Sequence, residues 1–181
     1  MIDNEQVLMI ETNRLFIRNF HPNDWEDLYD YLSQPETVAY EPYEPFSLNE
    51  AKHEAQRRSN DTNFYAVCLK ESGKLIGNIY LAKQDFNSAE IGFVFNSLFG
   101  SMGYATEAAK AMIDKLFSED DVHRIFAECN PENEKSWKLL ERLNFKREGH
   151  LKQNIYFKQD QKENPIWQDT YIYAILNETG T

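Results

Sequence analysis

Three consecutive segments in the middle of the chain constrain its fold more than any other feature. Residues 89–95 have the composition of a β-strand, residues 100–106 form a glycine-containing loop, and residues 107–117 carry apolar side chains at helical spacing. The loop therefore leads directly into a helix. At such a helix start the unpaired backbone N–H groups and the positive end of the helix dipole converge, which is typical of an anion site.

The spacing around the loop excludes two familiar phosphate-binding patterns. Gly-Lys-Ser or Gly-Lys-Thr does not follow it, and the G-x-G-x-x-G pattern of dinucleotide-binding folds is missing. Nucleoside triphosphates and NAD are therefore disfavoured as ligands. On spacing alone two interpretations remain open: a phosphate site close to Gly103, and a plain turn that caps the helix.

The rest of the chain supplies strands and helices in mixed order. Apolar runs predict about seven strands, at residues 14–20, 64–70, 75–83, 89–95, 124–129, 144–153 and 170–176. Helical spacing and cap signals predict about four helices, at residues 25–32, 48–58, 107–117 and 132–143. We expect an irregular loop at residues 156–169. These elements predict an α/β (α+β) fold.

Length and charge indicate one acidic domain. A chain of 181 residues buries a sizeable core, and no linker or repeat interrupts it, so we expect a single domain over residues 1–181. A net charge of −11 disfavours a nucleic-acid surface and favours cationic partners such as amines. Acidity that serves solubility alone explains the charge equally well.

The sequence shows no targeting, membrane or metal-binding pattern. The first residues lack the basic and apolar regions of a signal peptide, and no apolar run approaches the ~20 residues that span a bilayer, so we expect a cytoplasmic location and no membrane contact. Cys68 and Cys129 lack zinc-site spacing and are expected to be buried thiols. We expect no metal, because ligand spacing is also missing around His21, His53, His123 and His150.

Four ordered segments resemble the GNAT superfamily of N-acetyltransferases. The segment Gly103-Tyr104-Ala105-Thr106-Glu107-Ala108 is similar to the loop that binds the pyrophosphate of acyl-CoA in that superfamily. The other matching segments are residues 12–18, residues 89–93, and residues 130–136 leading to 143–149. The similarity covers most of the chain and points to the RimJ/RimL-like branch, which acetylates protein N-termini and includes relatives that act on small amines.

The resemblance implies a single-domain, mostly antiparallel mixed sheet that splays open at an acetyl-CoA cleft. Acetyl-CoA is then the co-substrate, and its pantetheine arm is expected to follow Phe93, Val94 and Phe95. Its pyrophosphate is expected on the loop residues Ser101, Met102, Gly103, Tyr104, Ala105 and Thr106. The pantetheine and thioester are expected to be reached by Asn130, Asn133 and Ser136. Gly100 departs from the Gln or Arg that is usual three residues before the loop glycine.

Acetyl transfer requires a base for the amine and a hydrogen-bond donor for the thioester. Glu90, on the strand expected to line the cleft, is the candidate base, and the alternative is a surface or ion-paired glutamate. Many superfamily members place a tyrosine acid on the later helix, but the matching position here is Leu140. Ser136 is therefore the candidate donor, and the alternative is a serine bonded to local backbone.

The acceptor is expected to be a primary amine that attacks directly, without a covalent enzyme intermediate. A polypeptide α-amine, with a pKa of about 7.7–8.0, demands less of a base than a lysine-like amine, so it is favoured. A small cationic amine of the polyamine or aminoglycoside type stays open, as does a noncatalytic acyl-CoA-binding regulatory domain. Side chains expected to contact the acceptor are Tyr40, Tyr43, Phe46 and Tyr156. A homodimer is compatible with the sequence, which does not indicate an oligomeric state.

Overall fold

The computed structural model describes residues 9–178, which form one eight-stranded sheet with two helices packed on each face. The strands are β1 (Met9–Glu11), β2 (Leu15–Asn19), β3 (Phe64–Leu69), β4 (Leu75–Gln84), β5 (Ser88–Phe95), β6 (Arg124–Cys129), β7 (Lys146–Ile155) and β8 (Gln168–Leu176). The helices are α1 (Trp25–Leu32), α2 (Leu48–Ser59), α3 (Tyr104–Glu119) and α4 (Glu134–Arg142). The predicted fold class is therefore confirmed.

The strand order is β1-β2-β3-β4-β5-β6-β8-β7, and all neighbours are antiparallel except β5 and β6. The sheet has one strand more than the sequence predicted. The additional strand is β1, which pairs with β2. Three residues are too few to show the alternation that reveals a strand, so the sequence carried no usable signal for it.

β5 and β6 share a short run of pairing and then separate. Their register joins Ser88–Glu90 to Arg124–Phe126, whereas β4 and β5 are paired along the whole of β5. Beyond Glu90, the edge of β5 that faces β6 has no strand partner within residues 9–178. The predicted splay is therefore present, and it opens a gap in the sheet at the carboxyl end of β5.

The two faces of β5 serve different halves of the molecule. Side chains alternate across a strand, and Ala89, Ile91 and Phe93 pack with the core under α3 and α4. Val94 packs instead with the core under α1 and α2. Glu90, four residues from Val94, shares that second face. Glu90 therefore lies on the α1/α2 side of the gap.

α1 and α2 fix the ends of a connecting segment that reaches the gap. α2 begins at the predicted capping box, in which Ser47 accepts from the backbone N–H of Glu50 and the Glu50 carboxylate accepts from the backbone N–H of Ser47 at 2.7 Å. α1 ends at Leu32, before Pro35. The intervening segment, residues 33–47, is thereby anchored at both ends, and part of it, residues 40–46, lies at the gap.

None of the described helices has the length and apolar character needed to cross a membrane. In the part of the chain that the structure describes, no three His, Cys, Asp or Glu side chains are arranged as a metal site. Cys68 and Cys129 are buried and unpaired, as expected.

Candidate active site

A cleft of about 660 Å³ opens where β5 and β6 separate. Its walls come from β4, β5, β6, α2, residues 40–46, the start of α4 and the β7–β8 hairpin. The cleft brings together nine of the residues expected at the site: Tyr40, Tyr43, Phe46, Glu90, Phe93, Val94, Asn130, Asn133 and Ser136. Residues from distant parts of the chain thus face one space.

The remaining expected site residues lie beside the cleft. Phe95 packs against the α3/α4 core, and residues 101–106 lie beyond the carboxyl end of β5, across the loop and first turn of α3. Tyr156 is exposed and contacts the Trp167 ring, with centroids 5.2 Å apart. Its neighbours Ile155 and Phe157 line the cleft, so Tyr156 stands at the rim.

Glu90 is a half-buried carboxylate without a counter-ion. Burial raises its pKa above the ordinary glutamate value, and the negative charge of Glu128 raises it further. No Lys, Arg or His among residues 9–178 forms an ion pair with Glu90. The ion-paired alternative is therefore not seen. A carboxylate with a raised pKa is a stronger base than an ordinary one, which suits proton abstraction near neutral pH.

Ser136 lies in the first turn of α4, at the wall opposite β5. Asn133 caps the helix by accepting from the backbone N–H of Ser136 at 3.2 Å. Burial raises the pKa of the Cys129 thiol to about 11, against a weaker opposing hydrogen bond with the Ser136 side chain. Cys129 therefore stays protonated at neutral pH and is a poor nucleophile. Leu140 is fully buried in the core, so this position supplies no acid to the cleft.

The glycine loop ends in a helix start that no side chain caps. Gly103 is the N-cap residue of α3, with φ of 80°, and Ser101 also has a positive φ of 61°. The first backbone N–H groups of α3 have no partner inside the helix. They are therefore free to donate to an external hydrogen-bond partner such as an anion. α3 starts at Tyr104 rather than Glu107, because its first turn consists of the loop residues themselves.

The loop is held by the segment that precedes β2. The Glu107 carboxylate accepts hydrogen bonds from the Thr12 hydroxyl at 2.6 Å and from the Arg14 backbone N–H and Nε at 2.8 and 2.7 Å. Arg14 also donates to the Met102 carbonyl at 3.0 Å and lies 4.3 Å from the Tyr104 ring centroid. The first matching segment, Thr12 to Leu15, thus braces the loop and the first turn of α3.

Gly100 has a local explanation. Its backbone N–H donates to the Ser97 carbonyl at 3.0 Å, closing the short turn that follows β5. A Cβ at this position would lie 3.0 Å from the same carbonyl oxygen. The turn therefore favours glycine, and it does not involve the N–H groups at the start of α3.

A buried polar network lies at the floor of the cleft on the α1/α2 side. Arg58, 2% exposed, donates to Glu54 at 2.7 Å and to Asn78 at 2.9 Å, and Tyr31 donates to Asn78 at 2.8 Å. Arg57 also pairs with Glu54. Both arginines at the cleft are therefore already engaged with a carboxylate.

Sequence reasoning missed several cleft residues, among them Arg58, Asn78 and Glu128. Nothing in the sequence marked Arg58 as a buried cleft residue, because it lies in the polar last turn of a helix. Glu128 had a partial signal: it lies on a predicted strand, but its face depends on the pairing with β5, which is tertiary information.

Residues 40–46 close one side of the cleft. The Tyr40 hydroxyl donates to the Glu132 carbonyl at 3.2 Å, across the opening, and Lys158 on the β7–β8 connection lies 3.3 Å from Glu44. Tyr43 and Phe46 make an edge contact with centroids 5.1 Å apart. The predicted acceptor-side aromatics therefore form a wall that touches the opposite rim.

The splayed sheet, the uncapped glycine-loop helix and the unpaired Glu90 together have the arrangement of an N-acetyltransferase. Residues 14–146 match the acetyltransferase (GNAT) domain, and the chain belongs to that family. GNAT acetyltransferases use acetyl-CoA. The enzyme class predicted from the sequence is confirmed.

Relatives agree along nearly the whole chain. The uncharacterised N-acetyltransferase YnaD of Bacillus subtilis is 36% identical over 171 residues, covering 93% of this chain and 97% of YnaD. The crystal structure of a GNAT-family acetyltransferase from Bacillus anthracis matches with a TM-score of 0.86 and 34% identity, covering 94% of this chain and 99% of that one. The ribosomal protein uS5-alanine N-acetyltransferase of Escherichia coli is 24% identical over 188 residues, covering 95% of this chain and 92% of that enzyme.

Proposed function

We propose that this enzyme acetylates the α-amino group of a polypeptide and that Glu90 takes the proton of the attacking amine. The observation that carries the proposal is the position of Glu90. It lines the cleft at the last paired residue before β5 and β6 separate, half-buried and without a counter-ion. A base placed there faces both the open strand edge and the acceptor side of the cleft.

The residues present fit acetyl-CoA. The uncapped N–H groups at residues 102–106 suit its pyrophosphate, and the positive φ of Gly103 leaves the loop backbone exposed to an anion. The unpaired edge of β5 at residues 93–95 suits the amide groups of the pantetheine arm. Asn130, Asn133 and Ser136 lie at the other wall. When bound, acetyl-CoA supplies the thioester that the amine attacks.

The chain's own groups then have separate tasks. Glu90 accepts a proton from the ammonium form of the acceptor, directly or through a water, so that the nitrogen lone pair is free. The amine nitrogen forms a bond to the acetyl carbon and the carbon–sulfur bond breaks, so that CoA leaves as a thiolate and takes up the second proton that the nitrogen releases. Ser136 donates a hydrogen bond in the thioester region. The protonated thiol of Cys129 takes no covalent part.

Two arguments favour an α-amine as the acceptor: the pKa of the amine that Glu90 must deprotonate, and the named substrate of a relative. A single carboxylate such as Glu90 deprotonates an α-ammonium, with a pKa of about 7.7–8.0, more readily than a lysine-like ammonium, with a pKa of about 10.4. The E. coli relative is named for an alanine of ribosomal protein uS5. A second candidate acceptor is a small cationic amine, which the carboxylates Glu41, Glu90 and Glu128 in the cleft favour.

The test is free-thiol release from acetyl-CoA with a panel of short peptides, polyamines and aminoglycosides, with the product identified by mass spectrometry. We expect the highest kcat/KM with peptides, and acetylation at the α-amine. Turnover confined to polyamines or aminoglycosides would establish the second candidate instead. Absence of turnover with every amine would contradict both.

A further inference from the structure

We propose that Glu128 binds the cationic acceptor opposite Glu90 and makes the enzyme favour acceptors that carry a second positive charge. This inference rests on the proposed function of the same cleft. It assigns an acceptor-binding role to a residue on β6, the strand that diverges from β5.

The strand register places the two carboxylates on one face. Glu90 pairs with Phe126 in the parallel β5–β6 ladder. Glu128 is two residues beyond Phe126, and side chains two apart on a strand share a face. Glu128 is therefore on the face of Glu90, ~7 Å further along the neighbouring strand. Both residues line the cleft.

Neither carboxylate is matched by a basic group. The ion pairs formed within residues 9–178 include neither Glu90 nor Glu128, and neither side chain accepts a hydrogen bond there. Two other cleft carboxylates, Glu54 and Asp169, are different. Glu54 pairs with Arg57 and Arg58, and Asp169 pairs with Lys152 and contacts His150. The free hydrogen-bonding capacity of Glu90 and Glu128 is thus open to a ligand.

The chemistry of the reaction indicates why two carboxylates favour a second cation. The attacking amine must be neutral, so Glu90 removes its proton and the reacting nitrogen then carries no charge to satisfy Glu128. A second ammonium or guanidinium on the acceptor remains charged throughout. It can stay beside Glu128 while the first amine reacts.

The pKa of Glu90 provides a second measurement of how close the charge of Glu128 lies to Glu90. Tyr80 on β4 and Glu128 on β6 are the titratable groups that face Glu90 from its neighbouring strands. Burial raises the pKa of Glu90 first, and Glu128 adds to it. Removing the charge of Glu128 therefore moves the pKa of Glu90 downward.

The test compares Glu128→Gln with the control Glu132→Gln, which removes an exposed carboxylate from the same rim but not from the cleft. The acceptors are two peptides that differ by alanine or lysine at the second position, and a matched alkyl monoamine and diamine. In the wild type we expect the second charge to lower KM about three- to fivefold. Glu128→Gln loses that advantage, whereas Glu132→Gln retains it.

A pH profile completes the test. We expect the acid limb of kcat/KM to move to lower pH in Glu128→Gln and to stay in place in Glu132→Gln. An unchanged preference for the second charge in Glu128→Gln, or an equal loss in both variants, would overturn the proposal. If peptides are not acetylated but the alkyl amines are, the peptide acceptor is wrong, and the diamine-to-monoamine ratio still decides the role of Glu128.

Discussion

Gly103 shows how one residue sets the geometry of the donor site. Its φ of 80° lies in the left-handed region, where a residue with a Cβ pays a conformational cost. A Cβ there would make only an ordinary contact, 3.5 Å from the Arg14 guanidinium, so the cost is conformational rather than steric. Any side chain at this position therefore strains the loop whose N–H groups face the proposed pyrophosphate.

We predict that Gly103→Ala weakens acetyl-CoA binding about five- to thirtyfold in titration calorimetry, corresponding to the ~1–2 kcal/mol cost of the left-handed conformation. The matched control is Gly73→Ala. Gly73 has a similar φ of 73°, in the β3–β4 turn with open space around it. The control should lose comparable stability and keep acetyl-CoA affinity. Equal affinities for acetyl-CoA in both variants would rule out the loop as the binding site.

At the scale of elements, the brace between the segment before β2 and the first turn of α3 links two parts of the chain 93 residues apart. Burial alone would raise the pKa of Glu107, but its hydrogen bonds from Thr12 and Arg14 outweigh burial and hold the pKa below the ordinary value of 4.5. A lowered pKa in the folded state means that the charged form stabilises the fold. That contribution is complete above the unfolded pKa and is lost as pH falls through the folded pKa.

Glu107→Gln should therefore lower the free energy of unfolding at pH 7 by about 1–2 kcal/mol, because three hydrogen bonds to a charged acceptor are weakened and Arg14 is partly exposed to screening. Urea unfolding measures this. The difference from wild type should shrink below pH 4.5, where the Glu107 contribution declines. Glu36→Gln, at an exposed position, is the control and should leave stability unchanged. A difference that grows in acid would contradict this account of the brace.

Elements with strong local signals could be predicted from the sequence. The capping box Ser47 to Glu50 marked the start of α2, and α1 ended before Pro35, because side-chain caps and proline act on their immediate neighbours. The start of α4 differed by two residues, at Glu134 rather than residue 132, since Asn133 caps the helix. β1 was missed because its pairing with β2, rather than its three residues, defines it as a strand.

The site residues also fall into two groups: those that local sequence reveals and those that only contacts between elements reveal. The loop and the strand of Glu90 were recognisable from residue types and from the resemblance to GNAT enzymes. Glu128 was not, because its face is set by the parallel register of β5 and β6. The hydrogen bonds of Arg58 to Glu54 and Asn78 could not be predicted either, because Asn78 lies on β4 and Arg58 on α2. These residues were missed because local sequence patterns do not show which strands and helices contact one another.

At the scale of the whole molecule, the proposed donor site spans β5, the loop and α3, and α4. A ligand that contacts all of them in the folded state, and not in the unfolded chain, stabilises the entire fold. At a concentration of 100 Kd the gain is about 2.7 kcal/mol. For a chain of this length, that corresponds to a rise in Tm of about 5–10 °C.

We therefore predict that acetyl-CoA raises Tm in a thermal-shift experiment by this amount, and that NAD at the same concentration does not, because the loop lacks the dinucleotide pattern. The rise should be smaller in Gly103→Ala at the same ligand concentration. An equal shift with NAD would indicate a nonspecific anion effect.

The central claim is that Glu90 accepts the proton of the amine in a cleft formed by the splayed sheet. The most direct test is the pH dependence of kcat/KM for acetyl transfer to a peptide, in the wild type and in Glu90→Gln, with acetyl-CoA affinity measured in both. The account predicts an acid limb in the wild type above the ordinary glutamate pKa of 4.5. In Glu90→Gln it predicts that this limb is lost and that kcat/KM falls by a factor of about 100 or more, with acetyl-CoA affinity retained. Full turnover with an unchanged profile in Glu90→Gln would contradict it.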